Sequence, residues 1–192
     1  MSLPLWVAFD CETTGFLPDG RLIEIGAVIF REDGKIEGEF QKLIRPPGIL
    51  PDFIIELAGI TPDMVCNAGD ATDILEQFLK WVPAGGILVA HNVGFDLAMI
   101  ASEDRGWLEA WNQSCVDSLA VARRMGEFPN NRLETIAEIL QCSHGMCPHR
   151  ALDDAHVVRH LMSNAFSRGL HKQWPEIFAG SPVSKFFSGR QQ

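Results

Sequence analysis

The chain has 192 residues, enough for one domain with a full hydrophobic core. Its hydrophobic share of 46% is ordinary for a globular protein, and no apolar run approaches the roughly 18–20 residues that span a bilayer. The net charge of −9 works against extended, nonspecific wrapping of nucleic acid, which needs many lysines and arginines. It leaves open the local capture of a polyanion through bound metal.

The cysteine content predicts a reducing compartment. The chain has five cysteines, an odd count, and its N-terminus lacks the basic flank and small-residue cleavage site of a signal peptide. We therefore expect reduced thiols, a cytoplasmic location and no contact with membrane.

The first part of the chain predicts three strands joined as an antiparallel meander. They cover residues 4–12, 21–30 and 39–46, with a turn signal at Asp33-Gly34. A proline-rich link leads to a short helix at 51–59 and a turn or short helix that begins at Thr61.

The second part alternates helices with strands. Apolar periodicity predicts helices at 70–82, 94–106, 131–142 and 150–169, a strand at 86–92, and a short strand followed by a helix within 114–125. This order predicts an α/β fold with a mixed central sheet, the meander first and parallel strands after it, flanked by helices.

We expect one domain over residues 1–169 and a C-terminal extension over 170–192. The extension contains "SPVSKFF", whose phenylalanines predict packing on the domain, a dimer contact or a segment that binds a partner such as a polymerase-associated ring.

Two acids follow an apolar run at the end of the first strand. Because strand side chains alternate, Asp10 and Glu12 project together about 6–7 Å apart, with Cys11 on the other side. That spacing suits carboxylates that share a pair of divalent cations, Mg²⁺ or Mn²⁺. A strand end that reaches solvent is the alternative for these two acids alone.

Further acids lie in the first turns of two helices. Asp96 follows a buried strand, where it is a helix-dipole aspartate or a third carboxylate beside the pair. In "PHRALDDAHVV", Asp154 lies on the buried stripe of a helix and needs a compensating partner such as metal, whereas Asp153 is the more solvated neighbour.

Three motifs, "FDCETTG", "HNVGFD" and "HRALDDA", carry these residues in a fixed order. Together they resemble the DEDDh exonucleases, the proofreading-exonuclease-like family that includes the editing subunit of the bacterial replicative polymerase. The segments "IEIGAVIF" and "GITPDMV" are also similar to linking segments of that family, so that the similarity covers about residues 5–165.

The resemblance implies a ribonuclease-H-like fold and stepwise 3′→5′ removal of nucleotides with two divalent cations. It implies that Asp10, Glu12, Asp96 and Asp154 hold the cations and that His149 is the general base. The sister subgroup uses a tyrosine for that role, and this chain has no tyrosine.

The resemblance also implies residues that meet the nucleic acid 3′ end. Thr13 and Phe16 occupy positions that contact the terminal nucleotide, Leu57 the position of an apolar wedge, and Phe95 that of a stacking ring. His91 is either a substrate contact or a hydrogen-bonded structural residue, and Leu57 and Phe95 are equally compatible with a place in the core. The expected product is a nucleoside 5′-monophosphate, and the expected substrate is single-stranded DNA, with RNA trimming as the alternative. Proofreading would be in trans, with a polymerase or a replication or repair complex as partner.

Two other functions compete with this interpretation. The start "DCETT" partly mimics an aspartate-nucleophile phosphatase, although Glu12 replaces the second aspartate of that family. A catalytically inactive nucleic-acid-binding module is the second. Separately from these functions, Cys142, His144, Cys147 and His149 have the residue types of a structural zinc cluster, although their spacing is not a standard one.

Overall fold

A six-stranded mixed sheet forms the centre of the molecule. The computed structural model describes residues 4–103, 111 and 113–186. The strands are β1 (Trp6–Thr13), β2 (Leu22–Phe30), β3 (Ile36–Leu43), β4 (Ile87–Ala90), β5 (Ser114–Asp117) and β6 (Ser181–Pro182). Their order is β3-β2-β1-β4-β5-β6. The first three strands pair antiparallel, and β4 and β5 continue the sheet parallel to β1.

Helices cover both faces of this sheet. They are α1 (Asp52–Ala58), α2 (Pro62–Val65), α3 (Ala71–Trp81), α4 (Val93–Glu103), α5 (Ser118–Met125), α6 (Leu133–Ile139), α7 (Ala151–Ser167), α8 (Leu170–Gln173) and α9 (Pro175–Phe178), and a 3₁₀ turn follows at Val183–Phe186. All nine residues of β2 are buried, as expected for a strand covered on both faces.

The hydrophobic core has one layer on each side of the sheet. Val7 and Phe9 of β1 pack with Phe78 of α3 on one face. Trp6 and Ala8 pack with Val158 of α7 on the other face. This alternation, which follows from the two-residue period of a strand, decides which layer each later β1 side chain meets.

The predicted fold class is confirmed, and the differences lie at element boundaries. The third strand begins at Ile36 and ends at Leu43 instead of covering 39–46, because pairing resumes directly after the turn at Gly34 and the chain then leaves the sheet before its prolines. The predicted helix over 131–142 is shorter, Leu133–Ile139, because Gln141 adopts a left-handed φ of 54°. The predicted helix 94–106 begins at Val93, and its residues after Glu103 lie outside the described part of the chain.

The described part of the C-terminal segment lies against the domain. Leu170 and Phe178 join the core layer around Trp6, and the two-residue β6 pairs with β5. The boundary at residue 169 stays a prediction, and Phe187 of "SPVSKFF" lies outside the described residues. Within the described residues, none of the helices has the length and apolar character needed to cross a bilayer.

Candidate active site

The acids at the end of β1 project toward α7. Asp10 and Glu12 continue the alternation of Trp6 and Ala8, whereas Cys11 packs in the opposite core layer. The two carboxylates are therefore side by side on one face of the sheet, beyond its apolar part.

A glycine lets α7 approach these acids closely. Gly26 of β2 pairs with Asp10, and a Cβ at this position would lie 2.1 Å from the backbone nitrogen of Leu152. The first turn of α7 therefore rests directly on the backbone of β2. This contact brings Asp154 beside Glu12.

A cluster of three side chains forms at this contact. One ligand atom from each of Glu12, His149 and Asp154 lies within 4.8 Å of the other two. These residues line a cleft of about 460 Å³. The cleft is also lined by Asp10, Cys11, His91, Arg132, Leu133 and Glu134.

Asp96 reaches the same region from the opposite layer. It lies in the first turn of α4, is 2% exposed, and its Oδ1 accepts a hydrogen bond of 3.1 Å from the backbone N–H of Cys11. That bond attaches the start of α4 to the strand end between Asp10 and Glu12. Asp96 thus lies behind the cleft wall.

The four carboxylates share a strongly negative environment. Burial, followed by the charges of Asp96 and Asp154, raises the pKa of Asp10 well above its ordinary value. Burial is also the main reason that the pKa of Glu12 rises to about 7 and that of Asp96 to about 8. Such raised values are typical of carboxylates that are buried close to one another.

Burial also raises the pKa of Asp154, but His149 partly offsets this rise. Burial raises its pKa to about 6, while the charge of His149 and a backbone hydrogen bond from that residue act in the opposite direction. Asp153, one position earlier, points away and its Oδ2 accepts a hydrogen bond of 2.9 Å from the backbone N–H of Cys147.

His149 is held at the edge of the cleft by a residue that sequence reasoning missed. Its Nε2 lies 3.0 Å from Oε1 of Glu134, and its backbone has a left-handed φ of 62°. Glu134 lies in the first turn of α6, where an acid has the ordinary role of facing the helix dipole. Only the tertiary contact between α6 and the loop before α7 reveals this pairing.

The residues predicted to meet substrate have different surroundings. Phe16 is 82% exposed and packs edge-on against Phe95 with ring centroids 5.8 Å apart. Leu57 is 50% exposed on α1. Thr13 donates from Oγ1 to the carbonyl of Gly15 at 2.9 Å, which shapes the turn after β1.

His91 has a partner at each ring nitrogen. Its Nδ1 lies 3.0 Å from Ser118 Oγ and its Nε2 lies 2.6 Å from the carbonyl oxygen of Asn131. Because burial lowers the pKa of this ring, the neutral form is favoured. The hydrogen-bonded structural role is thus present, and the predicted contact with substrate would use the ring edge that faces the cleft.

The zinc-like residues do not assemble in the part of the chain that the structure describes. There, the metal-competent group consists of Glu12, His149 and Asp154. Cys142 is buried in a hydrophobic cluster, whereas Cys147 is exposed.

Comparison with known sequences identifies the family. The sequence profile of a family described as exonuclease, RNase_T, matches residues 7–162. Relatives named DNA polymerase III PolC-type include that of Thermotoga petrophila, 35% identical over 161 residues and 79% of this chain, and that of Bacillus subtilis, 34% identical over 164 residues and 82% of this chain. The chain spans 11% of the length of each of these relatives.

Solved structures share the fold. The nuclease domain of 3′hExo, described as a DEDDh family member bound to rAMP, matches 87% of this chain and 94% of its own length with a TM-score of 0.73 and 20% identity. Exonuclease X in complex with 5′ overhanging duplex DNA matches 85% of this chain and 92% of its own length with a TM-score of 0.67 and 22% identity. E. coli Exonuclease I in complex with a dT13 oligonucleotide matches 92% of this chain and 43% of its own length with a TM-score of 0.71 and 17% identity.

The mixed sheet flanked by helices is thus that of ribonuclease-H-like exonucleases. The matched profile covers all three acidic motifs, and the residues that those motifs contribute meet at one end of the sheet. The chain belongs to the exonuclease family RNase_T, whose profile matches most of its length.

Proposed function

We propose that this protein is a 3′→5′ exonuclease that removes nucleoside 5′-monophosphates from single-stranded DNA with the help of two divalent cations. The observation that carries the proposal is the convergence of Glu12, His149 and Asp154 within 4.8 Å in a cleft that Asp10 also lines. An acidic site of this kind repels phosphate by itself, so that the proposal requires cations.

The donor set suits divalent metal. Exonucleases of this family need such a metal, and the residues that would hold it here are Asp10, Glu12, Asp96 and Asp154. Carboxylate oxygens favour Mg²⁺, and Mn²⁺ is the expected substitute. When bound, the cations would lower the pKa of a coordinated water and neutralise charge on the leaving 3′ oxygen. The raised pKa values of Glu12 and Asp96, which burial mainly causes, support this assignment, because a bound cation would stabilise the ionised carboxylates that burial disfavours.

His149 is proposed as the general base. Its ring lies with Glu12 and Asp154 at the cleft, so that it is placed to accept the proton of the attacking water. The contact of its Nε2 with Glu134 orients the ring. Glu134 is therefore expected to restrict the rotamers of His149 and to define its hydrogen-bonded tautomer.

The substrate end is proposed to lie against Thr13, Phe16, Leu57, His91 and Phe95. The exposed ring of Phe16 and the exposed side chain of Leu57 offer apolar surface to unpaired bases, a mode of binding that tolerates any sequence. The PolC-type relatives, which are named as DNA polymerases, support DNA over RNA as the substrate.

The same relatives suggest the partner. Because their matching segment belongs to a polymerase chain, we propose that this protein edits or trims DNA together with a polymerase or a replication or repair complex in the cytoplasm. A homodimer is the other assembly that we predict, and sedimentation of the purified protein tests it.

One degradation panel tests the proposed activity. The protein is incubated with 5′-labelled single- and double-stranded DNA and RNA, with Mg²⁺ or with EDTA. We expect a ladder that shortens from the 3′ end of single-stranded DNA, release of mononucleotides, and no reaction in EDTA. Preferential shortening of RNA would assign the trimming alternative, release of free phosphate would assign a phosphatase, and tight binding without degradation would assign an inactive binding module.

A further inference from the structure

Glu24 is a buried acid that none of the roles above uses. It lies on β2 directly opposite Glu12 of β1, on the same face of the sheet, and its side chain is 0% exposed. A buried carboxylate is costly unless it is fully paired. Its partners therefore indicate why it is there.

The hydrogen-bond partners of Glu24 lie either at the start of α7 or on the adjacent strand β3. Its Oε1 accepts from Nη2 of Arg150 at 2.7 Å and from Nε2 of Gln41 at 2.9 Å. Its Oε2 accepts from Nε of Arg150 at 3.1 Å and from the backbone N–H of Ala151 at 3.0 Å. Glu24 thus supplies, from β2, the cap at the N-terminus of α7.

The residues that Glu24 holds stand between two members of the proposed site. Arg150 follows His149 directly, and the carbonyl oxygen of Arg150 accepts a hydrogen bond of 3.0 Å from the backbone N–H of Asp154. A rotation or shift of the first turn of α7 would move His149 and Asp154 together, away from Glu12. The Glu24–Arg150 pair opposes such a shift because a fork of two parallel hydrogen bonds has only one good geometry.

We propose that Glu24 is a positioning residue: through Arg150 and the Ala151 N–H it fixes where His149 and Asp154 stand relative to Glu12. This inference rests on the proposed function. Glu24 does not line the cleft, and it acts through the helix that it caps. Its buried charge adds to the repulsion around Glu12 and Asp10, and a buried ion pair is a weak source of stability. Placement of the site is the benefit that offsets this cost.

The test compares Glu24→Gln with Glu127→Gln. Glu127 pairs with Arg168 at the other end of α7, where both side chains are partly exposed, so this control removes a Glu–Arg pair from the same helix without reaching the cleft. Three quantities are measured: hydrogen exchange of the backbone over residues 151–155, affinity for Mn²⁺, and kcat and KM on single-stranded DNA.

Glu24→Gln is expected to increase exchange over residues 151–155 and to lower Mn²⁺ affinity and kcat by about 10- to 100-fold, the usual effect of losing a residue that orients ligands. KM should stay within about twofold, because Phe16 and Leu57 lie on other elements and uniform binding is retained. Glu127→Gln should behave as wild type in all three measurements.

The inference would be overturned if the folded Glu24→Gln variant had the kcat and Mn²⁺ affinity of the wild-type protein, whether or not its melting temperature were lower. Glu24 would then be a stabilising residue only. If the wild-type protein degrades no nucleic acid, the proposed function fails, while Mn²⁺ affinity and hydrogen exchange still decide the role of Glu24. If Glu24→Gln does not fold, Arg150→Lys takes its place. This substitution keeps the positive charge but removes the paired hydrogen bonds of the guanidinium, and the same measurements and outcomes apply to it.

Discussion

At the scale of single residues, two neighbouring aspartates have different surroundings. Asp154 lies within 4.8 Å of the ligand atoms of Glu12 and His149, whereas Asp153 bonds to the backbone of Cys147. One position along a helix is a rotation of about 100°, which separates the core-facing side from the solvent side. The pair therefore offers a matched test of the proposed site.

We expect Asp154→Asn to lower kcat by at least about 100-fold and Asp153→Asn to lower it by less than about fivefold, because only the first change removes a charge from the cluster. Degradation of labelled single-stranded DNA in Mg²⁺ measures both rates, and circular dichroism checks the fold. Equal losses in the two folded variants would contradict the assignment of Asp154.

Phe16 provides a second test at this scale, since its ring is 82% exposed and packs against Phe95, the residue before Asp96. We expect Phe16→Ala to raise KM for single-stranded DNA by about tenfold and to leave kcat nearly unchanged, because stacking of a base on a ring contributes about 1–3 kcal/mol.

The matched control for Phe16 is Ile36→Ala. Ile36 is also exposed, at 40%, but it pairs with Phe30 at the end of the sheet away from the acids. An equal change of KM in both variants would mean that Phe16 does not contact the substrate.

At the scale of elements, the approach of α7 to β2 decides whether the site exists. Gly26 lies under the first turn of that helix, where a Cβ would stand 2.1 Å from the nitrogen of Leu152. Backbone atoms cannot rotate away as a side chain can. A larger residue at this position must therefore displace the helix or the strand.

We expect Gly26→Ala to lower the free energy of unfolding by about 1–3 kcal/mol and to reduce kcat by more than the unfolded fraction explains, because Asp154 moves with the helix. Gly38→Ala in β3 is the control, since its Cβ would lie 3.6 Å from Trp81, an ordinary contact. The two variants are compared by urea unfolding and by the nuclease rates of the folded proteins. A Gly26→Ala variant with the stability and kcat of the wild-type protein would show that the contact between α7 and β2 can accommodate a Cβ.

At the scale of the whole molecule, the acidic cluster links stability to pH. The pKa of Glu12 rises to about 7 and that of Asp96 to about 8, whereas both groups titrate near 4 in an unfolded chain. Between these values the folded protein binds more protons than the unfolded chain. The free energy of unfolding must therefore decrease as pH rises through the folded-state values.

We expect the metal-free protein to unfold at lower urea concentration at about pH 8.5 than at about pH 6.5, a window in which the histidines with lowered pKa values are already neutral. Mg²⁺ should restore more stability at the higher pH, because it binds the ionised carboxylates. Asp10→Asn, which removes one charge from the cluster, should weaken the pH dependence. A stability that stays constant or increases over this window in EDTA would contradict the electrostatic description.

Much of the fold and the identity of the acids could be predicted from the sequence. The mostly apolar sequence of β2, the apolar first half of β1 and the apolar stripe of α7 are local patterns that predict buried strands and an amphipathic helix. The three acidic motifs contain the residue types that metal-assisted hydrolysis requires. The two-residue β6, which contains a proline, was missed because it is too short to show a period.

What the sequence by itself determined is therefore the order and type of the elements from β1 to α7, their amphipathic faces and the list of candidate ligands. The tertiary structure alone decided that Glu134 meets His149, that both ring nitrogens of His91 are bonded inside the fold, and that Glu24 caps α7 from a distant strand. The physical reason is that these contacts join residues separated by up to 127 positions. They depend on how the helices lie on the sheet, which local patterns do not encode.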